Sequence, residues 1–259
     1  MILDDITEKK KLRLEEEKYI FDILDIAEKI KKDKTASFYS AMAKDGLSII
    51  GEIKRASPSR GMIREDFEPV EIAREYEKAV DAVSVLTEED YFKGKTQYLK
   101  DVHKEIDLPI LRKDFIISPM QIVEAREAGA SAVLLITAIL KDKRVLNEYI
   151  RFAKGLGLDA LVETHNEEEL EIALAAEAEI IGINNRNLYD FTEDINTTVR
   201  LSKIVPKNKI VISESSIHTQ EDIIKLKDTG INGILVGESF MKTDDIKKKA
   251  DLFRGAYES

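Results

Sequence analysis

Ala132-Val133-Leu134-Leu135-Ile136 is a run of five apolar residues with no polar position on either alternating face. Such a continuous run is typical of a parallel strand buried on both faces, rather than of a half-exposed antiparallel strand. Seven further segments rich in apolar and β-branched residues also predict strands. They are residues 48–53, 82–86, 109–111, 159–162, 180–183, 209–212 and 233–236.

Amphipathic, charge-rich segments separate the predicted strands and are typical of helices. Ser118 precedes a proline at a predicted first helical position, and Asn166 precedes three glutamates that complement the helix dipole. Gly129 and Gly230 lie where helices should end. The predicted helices are residues 69–78, 97–105, 119–127, 142–154, 167–176, 194–203, 220–228 and 244–253.

Strict alternation of strand and helix, eight times in 259 residues, predicts an α/β protein with a (β/α)₈ TIM barrel. A doubly wound open sheet is the alternative. Because no Pro/Gly/Ser-rich linker divides the chain, we expect one domain over residues 1–259. An amphipathic pattern over 5–32 and a second short helix anchored by Phe38 and Tyr39 predict a helical extension, residues 1–45, over the barrel mouth. Its mixed charges favour this packing over membrane or partner binding.

The overall charge and composition narrow the classes of function. With 40 basic and 50 acidic residues the net charge is −10, so we expect no general attraction to nucleic acid or to an anionic membrane. No apolar segment reaches transmembrane length and the acidic start, Met1-Ile2-Leu3-Asp4-Asp5, does not resemble a signal peptide, so we expect a cytoplasmic protein. The absence of cysteine excludes thiol nucleophiles, and the three histidines lack metal-ligand spacing.

Charged residues end several of the predicted strands, and active sites of parallel barrels lie at those ends. Side chains alternate across a strand, so Glu52 and Lys54 share one face. An ion pair that closes the barrel layer explains any single one of these residues as well as catalysis does. As a set, they should perturb one another's proton affinities, which acid–base chemistry uses. The strand-end polar residues are Glu52, Lys54, Lys113, Glu163, Asn184, Arg186, Glu214 and Ser215.

The last two predicted strands run into segments of small residues. Ser213-Glu214-Ser215-Ser216-Ile217 follows one, and Val236-Gly237-Glu238-Ser239 follows the other. Small residues leave backbone N–H groups free to meet an anion, and phosphate sites after strands seven and eight recur in this fold. These segments predict a phosphorylated substrate.

Seven motifs, in order along the chain, closely resemble those of indole-3-glycerol phosphate synthase of tryptophan biosynthesis. The resemblance runs through all eight strand–helix units and includes the N-terminal extension. The motifs are Glu52-Ile53-Lys54-Arg55-Ala56-Ser57-Pro58-Ser59, Val85-Leu86-Thr87, Leu111-Arg112-Lys113-Asp114-Phe115, Leu161-Val162-Glu163, Ile183-Asn184-Asn185-Arg186-Asn187-Leu188, Ser213-Glu214-Ser215 and Leu235-Val236-Gly237-Glu238.

The resemblance implies ring closure of 1-(2-carboxyphenylamino)-1-deoxyribulose 5-phosphate to indole-3-glycerol phosphate, with loss of carbon dioxide and water and with no metal or organic cofactor. It implies that Lys113 is the principal acid of the condensation and that Glu163 handles protons in the later steps. It also implies that Lys54 meets the substrate carboxylate and donates a proton during dehydration. Either lysine can reach the same oxygen, so the division of labour between them stays open.

The resemblance assigns supporting roles to further residues. Glu52 would hold and tune Lys54, Asn184 would orient a substrate hydroxyl, and Glu214 would fix the sugar or a neighbouring lysine. Phe92 and Phe115 either sandwich the anthranilate ring or belong to the core. The substrate- and phosphate-binding positions of the family correspond to Ser57, Arg186, Ser215, Gly237 and Glu238, the last two through backbone N–H groups.

Ser216 departs from the family pattern, which has glycine at this position after strand seven. Glycine lets the backbone approach a phosphate closely, and serine can replace it if its φ is negative. We therefore expect weaker substrate binding in this chain.

Two other functions are alternatives to the synthase, one of them a different enzyme and the other a binding protein without catalysis. Phosphoribosylanthranilate isomerase, another phosphate-binding barrel of the same pathway, would use a different acid and base pair. A non-catalytic binding barrel would bind a product analogue without turnover. As partners we expect a small phosphorylated substrate and neither nucleic acid nor membrane, and we expect a monomer, with a weak homodimer as the alternative.

Overall fold

The computed structural model describes residues 2–16, 36–58, 61–63, 66–188 and 191–259. Eight parallel strands form a closed barrel in which the first strand pairs with the last, Ser48 with Gly233. The (β/α)₈ barrel is therefore confirmed, and the open sheet was the wrong alternative. The strands are β1 Ser48–Ile53, β2 Ala82–Leu86, β3 Ile110–Lys113, β4 Ala132–Ile136, β5 Asp159–Thr164, β6 Ile180–Asn184, β7 Ile210–Glu214 and β8 Gly233–Val236.

Helices follow the strands in the predicted order. Ser118 and Asn166 cap their helices through side-chain hydrogen bonds, and the glycines after two helices have the positive φ of a helix end, +93° at Gly129 and +74° at Gly230. Among the described residues, no helix is both long enough and apolar enough to cross a membrane. The helices are α1 Ile2–Glu16, α2 Phe38–Met42, α3 Pro69–Glu77, α4 Thr96–His103, α5 Pro119–Glu127, α6 Lys143–Gly155, α7 Glu167–Ala175, α8 Asn196–Leu201, α9 Gln220–Leu226, α10 Glu238–Met241 and α11 Ile246–Glu258.

Several strands continue further than the sequence predicts. The ladder between β2 and β3 extends to Leu86 opposite Lys113, and the ladder between β6 and β7 extends to Asn184 opposite Glu214. Glu163 likewise lies within β5, opposite Ile136. These polar residues are therefore held by strand hydrogen bonds rather than by loops.

The inside of the barrel is filled by every second strand residue. Leu111, Leu161 and Ile212 belong to this inner core, and each precedes by two positions a polar residue at the mouth. Because strand side chains alternate between faces, the same register that buries the core also points these polar groups inward. A second core fills the space between the strands and the surrounding helices.

The two described helices of the N-terminal extension lie at opposite ends of the barrel. Helix α1 lies at the mouth, where Lys10 Nζ is 2.9 Å from Asp114 Oδ1. Helix α2 lies at the strand starts: Tyr39 N donates to Asp159 Oδ2 at 2.8 Å, and Ser48 Oγ donates to Ala41 O at 2.9 Å.

The expectation that residues 1–45 cover the mouth does not hold for α2. Its buried side chains, Phe38 and Met42, pack with the inward apolar residues and close the end of the barrel opposite the site. Residues 17–32 of the predicted amphipathic pattern lie outside the described residues.

A buried ionic network links α1 to the strands next to it. Asp114 Oδ1 accepts from Lys10, and Asp114 Oδ2 accepts from Thr87 Oγ1 at 2.7 Å and from Arg112 Nη2 at 2.9 Å. Arg112 Nη1 also pairs with Glu124 Oε2 at 2.6 Å. Burial acts to raise the pKa of Asp114, but Lys10 and Arg112 lower that pKa to about 2. The carboxylate stays charged and holds the network together.

We predict that Asp114→Asn lowers the free energy of unfolding by about 3 kcal/mol, because it takes from the buried Lys10 the carboxylate it pairs with and leaves Arg112 with Glu124 alone. Urea unfolding monitored by circular dichroism measures this change. Glu71→Gln is the matched control, since it removes an exposed carboxylate from an ion pair with Arg74 and should leave the stability nearly unchanged. Equal effects of the two substitutions would contradict the importance of the network.

Candidate active site

A cavity lies at the C-terminal ends of the strands. It is lined by every predicted site residue except Ser57, which is buried in a short hairpin of Ala56–Ser57 with Gly61–Met62 beside the mouth. The predicted residues that line it are Glu52, Lys54, Phe92, Lys113, Phe115, Glu163, Asn184, Arg186, Glu214, Ser215, Ser216, Gly237 and Glu238.

Lys113 lies between two buried carboxylates. Its Nζ donates to Glu163 Oε2 at 3.0 Å and also donates to Glu214 Oε2. Burial acts to lower the pKa of Lys113, but the charges of Glu214 and Glu163 raise it well above its ordinary value. The ammonium is therefore charged at neutral pH and carries a proton into the cavity.

The two carboxylates that hold Lys113 differ in proton affinity. Burial acts to raise the pKa of Glu163, but the positive charges of Lys113 and His165 lower it well below its ordinary value. For Glu214, burial and the nearby negative charge of Glu163 outweigh Lys113 and raise the pKa to about 7. Groups whose environments separate their pKa values in this way suit different acid and base roles.

Lys54 forms the second cation of the mouth and donates to Glu52, on the same face of the chain. Burial acts to raise the pKa of Glu52, but the charges of Lys54 and Lys113 lower it. Gly237 leaves the space that this carboxylate occupies, since a Cβ at Gly237 would lie 2.3 Å from Glu52 Oε2. Gly237 thus has a steric function that the sequence did not indicate.

Gly182 has the same function for the other carboxylate and was missed in the sequence. A Cβ at Gly182 would lie 2.2 Å from Glu214 Oε1. The sequence did contain an indication of this function, because a glycine inside an apolar strand such as Ile180–Asn184 often marks a position that another group approaches closely.

The segment after β7 has an uncommon backbone. Ser215 and Ser216 both have positive φ, +64° and +60°, in the left-handed region that favours glycine. Serine was expected to replace the family's glycine at position 216 only if its φ were negative, and the observed φ is positive. The Ser216 hydroxyl is buried and makes no hydrogen bond within the described part of the chain.

Arg186 and Glu238 are held by neighbouring side chains at the cavity wall. Arg186 Nε donates to Glu193 Oε1 at 3.0 Å, and its backbone N donates to Asn184 Oδ1, also at 3.0 Å. The Glu238 carboxylate accepts from Lys242 Nζ at 2.6 Å. Glu193 was not among the predicted residues, because it belongs to a loop without a recognisable pattern.

Phe92 and Phe115 contact each other directly. Their ring centroids are 6.0 Å apart with an interplanar angle of 38°, the separation of an aromatic pair in contact. No third ring fits between them in this arrangement. They form one wall of the cavity, rather than the two sides of a sandwich.

Among the described residues, no group of three or more His, Asp or Glu side chains is arranged to hold a metal ion. His103 lies on the surface. His165 and His218 both lie near the mouth, next to Glu163 and Glu193 respectively.

Solved structures of other barrels resemble this fold at low sequence identity. A structure of 3-hexulose-6-phosphate synthase from Salmonella typhimurium matches with a TM-score of 0.65 and 13% identity, covering 82% of this chain and 99% of that chain. At this identity, the similarity supports the barrel fold alone.

The sequence comparisons are more specific. The family model of indole-3-glycerol phosphate synthase matches residues 3–253. An indole-3-glycerol phosphate synthase from Thermoanaerobacter pseudethanolicus is 49% identical over 258 residues, 99% of this chain and 98% of that protein. One from Clostridium acetobutylicum is 52% identical over 252 residues, 95% of each. The chain therefore belongs to the indole-3-glycerol phosphate synthase family, the decarboxylating lyases of tryptophan biosynthesis.

Proposed function

We propose that Lys113 and Glu163 carry the proton transfers of the family's reaction in this chain. That reaction closes the ring of 1-(2-carboxyphenylamino)-1-deoxyribulose 5-phosphate, with loss of carbon dioxide and water. The observation that carries the proposal is the placement of the Lys113 ammonium between the buried carboxylates of Glu163 and Glu214, inside the cavity.

Condensation requires an acid at the substrate ketone. The aromatic carbon attacks the carbonyl carbon, and negative charge develops on the oxygen, which a nearby ammonium stabilises and protonates. Lys113 supplies this proton, since its high pKa keeps it charged before the attack. Glu214 fixes the lysine in place through its hydrogen bond.

The later steps require a base and a second acid. Glu163 is ionised and lies 3.0 Å from the Lys113 ammonium. After decarboxylation it accepts the proton that the substrate carbon beside the nitrogen loses, and it returns that proton to the hydroxyl that leaves as water. Lys54, held by Glu52, meets the substrate carboxylate and assists departure of the hydroxyl. Assigning condensation to Lys113 and dehydration to Lys54 is part of the proposal.

The remaining cavity residues position the substrate. The anthranilate ring lies against the wall formed by Phe92 and Phe115. The phosphate binds at the Ser215–Ser216 segment and at Gly237 and Glu238, through backbone N–H groups. Asn184 orients a substrate hydroxyl, Arg186 adds positive charge, and the buried hydroxyls of Ser57 and Ser216 each have a hydrogen-bonding capacity that the described residues do not use.

The cellular setting is also part of the proposal. We place the protein in the cytoplasm, where the intermediates of amino-acid biosynthesis are made, as a monomer and a single domain over residues 1–259. Its net charge of −10 supports a small-molecule partner and no nucleic acid. Lys54, Lys113 and Arg186 line the mouth of the barrel and supply the basic groups that an anionic substrate needs.

We predict that Lys113→Met lowers kcat by roughly two orders of magnitude or more, the usual contribution of general acid catalysis. A fluorescence assay of indole-3-glycerol phosphate formation measures the loss. Lys154→Met is the matched control, because Lys154 is an exposed lysine whose ammonium pairs with Glu179 at the surface. Near-normal turnover of Lys113→Met would remove Lys113 from the mechanism.

We also predict that Ser216→Gly lowers KM, because glycine adopts the observed φ of +60° without strain and lets the backbone come closer to the phosphate. The stability should rise by up to about 1 kcal/mol as the left-handed strain is relieved. Steady-state kinetics and urea unfolding measure the two effects.

Glu177→Gly is the control for the Ser216 variant. Glu177 has a similar φ of +63° at the end of α7, outside the cavity, so its replacement should relieve strain and leave KM unchanged. An unchanged or higher KM for Ser216→Gly would show that serine at this position does not weaken phosphate binding.

A further inference from the structure

The geometry points to His165 as a positioning residue that keeps the carboxylate of Glu163 ionised and directed toward Lys113, an inference that rests on the proposed function of Glu163. His165 directly follows β5 (Asp159–Thr164), whose last residues include Glu163. Its imidazole lies next to one oxygen of the Glu163 carboxylate, and the Lys113 ammonium lies next to the other.

The imidazole is held in one orientation by the start of helix α7. His165 Nδ1 lies 2.8 Å from Glu169 Oε2, and the His165 backbone N donates to the same oxygen at 2.9 Å. The other oxygen, Glu169 Oε1, accepts from Asn166 Nδ2 at 2.9 Å, while Asn166 Oδ1 caps the helix at Glu169 N. The ring is therefore fixed by the same residues that begin the helix.

The second imidazole nitrogen faces the proposed base. His165 Nε2 lies 3.3 Å from Glu163 Oε1, while Lys113 Nζ lies 3.0 Å from Glu163 Oε2. The side chains of His165 and Glu163 are 11% and 2% exposed, so water weakens these interactions little. Each oxygen of the carboxylate thus has its own cation.

The charges around the imidazole favour its protonated form. Burial acts to lower the pKa of His165, but its contacts with Glu163 and Glu169 raise that pKa to about 10. The charged groups that face it are Glu163 on its own strand and Glu169 on α7, with Asp194 lining the adjoining cavity and Lys113 beyond Glu163. The imidazolium persists through the neutral range.

A second cation matters because Lys113 becomes neutral when it donates its proton. At that moment Glu163 loses the charge that holds its Oε2, and its proton affinity would rise sharply if no other cation were present. His165 keeps its proton through this step and holds Glu163 ionised. Glu163 then remains able to accept a proton from the substrate in the next step.

A second cavity, lined by His165, Asn166 and Glu169, adjoins the active-site cavity, with which it shares Asn184 and Leu188. Its position makes a chemical test possible. When the imidazole is removed by His165→Ala, free imidazole can enter from this cavity and occupy the vacated position.

The first experiment compares the pH dependence of kcat in the parent protein and in His165→Gln. We expect the acid limb of His165→Gln to steepen and to move to higher pH, with KM little changed, because protonation of Glu163, whose pKa lies far below its ordinary value in the parent, then adds to that of Glu214. We expect His165→Ala to show the same shift and added imidazole to reverse it. His103→Gln, a surface histidine on α4, is the control and should leave both kcat and its pH dependence unchanged.

Glu163→Gln is measured in parallel to separate a failure of the proposed function of Glu163 from a failure of the positioning role of His165. Near-normal turnover of Glu163→Gln would remove the proposed function of Glu163. If Glu163→Gln loses activity while His165→Gln keeps the parent's acid limb, the proposed function stands and the positioning role of His165 is overturned.

A measurement on the unsubstituted protein tests the inference even if the His165 variants fail to fold. The ¹⁵N chemical shifts of the His165 ring report its protonation directly, and we expect a doubly protonated imidazolium at pH 8. A neutral His165 ring at that pH would overturn the inference.

Discussion

The contact of the Lys113 ammonium with Glu163 and Glu214 is the interaction on which the rest of the site depends. Glu163 and Glu214 lie 50 and 101 positions after Lys113 in the chain, and the closed barrel brings the three residues together. Each lies on a strand at a position fixed by its ladder, as in the pairing of Glu163 with Gly182. A shift of one residue in any of these strands would turn the side chain out of the cavity.

Such a cluster contributes little to the stability of the fold. Glu52, Glu163 and Glu214 are each at most 5% exposed, and buried ion pairs offset their desolvation only in part. The apolar cores inside and outside the barrel must supply the stability that holds these charges together. Burying several carboxylates around one ammonium lowers the stability of the fold, but it separates their pKa values, which acid–base catalysis uses.

The sequence predicted most of what depends on local pattern. All eight strands were found, because their apolar runs are continuous, and the period of two identified the inward face that carries Glu52 and Lys54. Lys113, Glu163 and Glu214 followed from the rule that sites lie at the strand ends.

Features that depend on contacts between distant residues were not predictable in this way. The short helix α2 closes the end opposite the site, because Tyr39 meets Asp159, 120 residues away. The positive φ of Ser216 follows from the path of the backbone after β7 and is not signalled by serine itself. Gly182 was recognisable as a strand glycine, but its partner, Glu214, was not.

The most direct test of the central claim is a double-mutant cycle on Lys113 and Glu163, read as kcat for indole-3-glycerol phosphate formation. Residues that act as one catalytic unit have strongly non-additive effects. We predict that the combined Lys113→Met and Glu163→Gln variant is about as slow as the slower of the two single variants. Losses that multiply in the double variant would contradict the claim, because they would show that the two residues act independently.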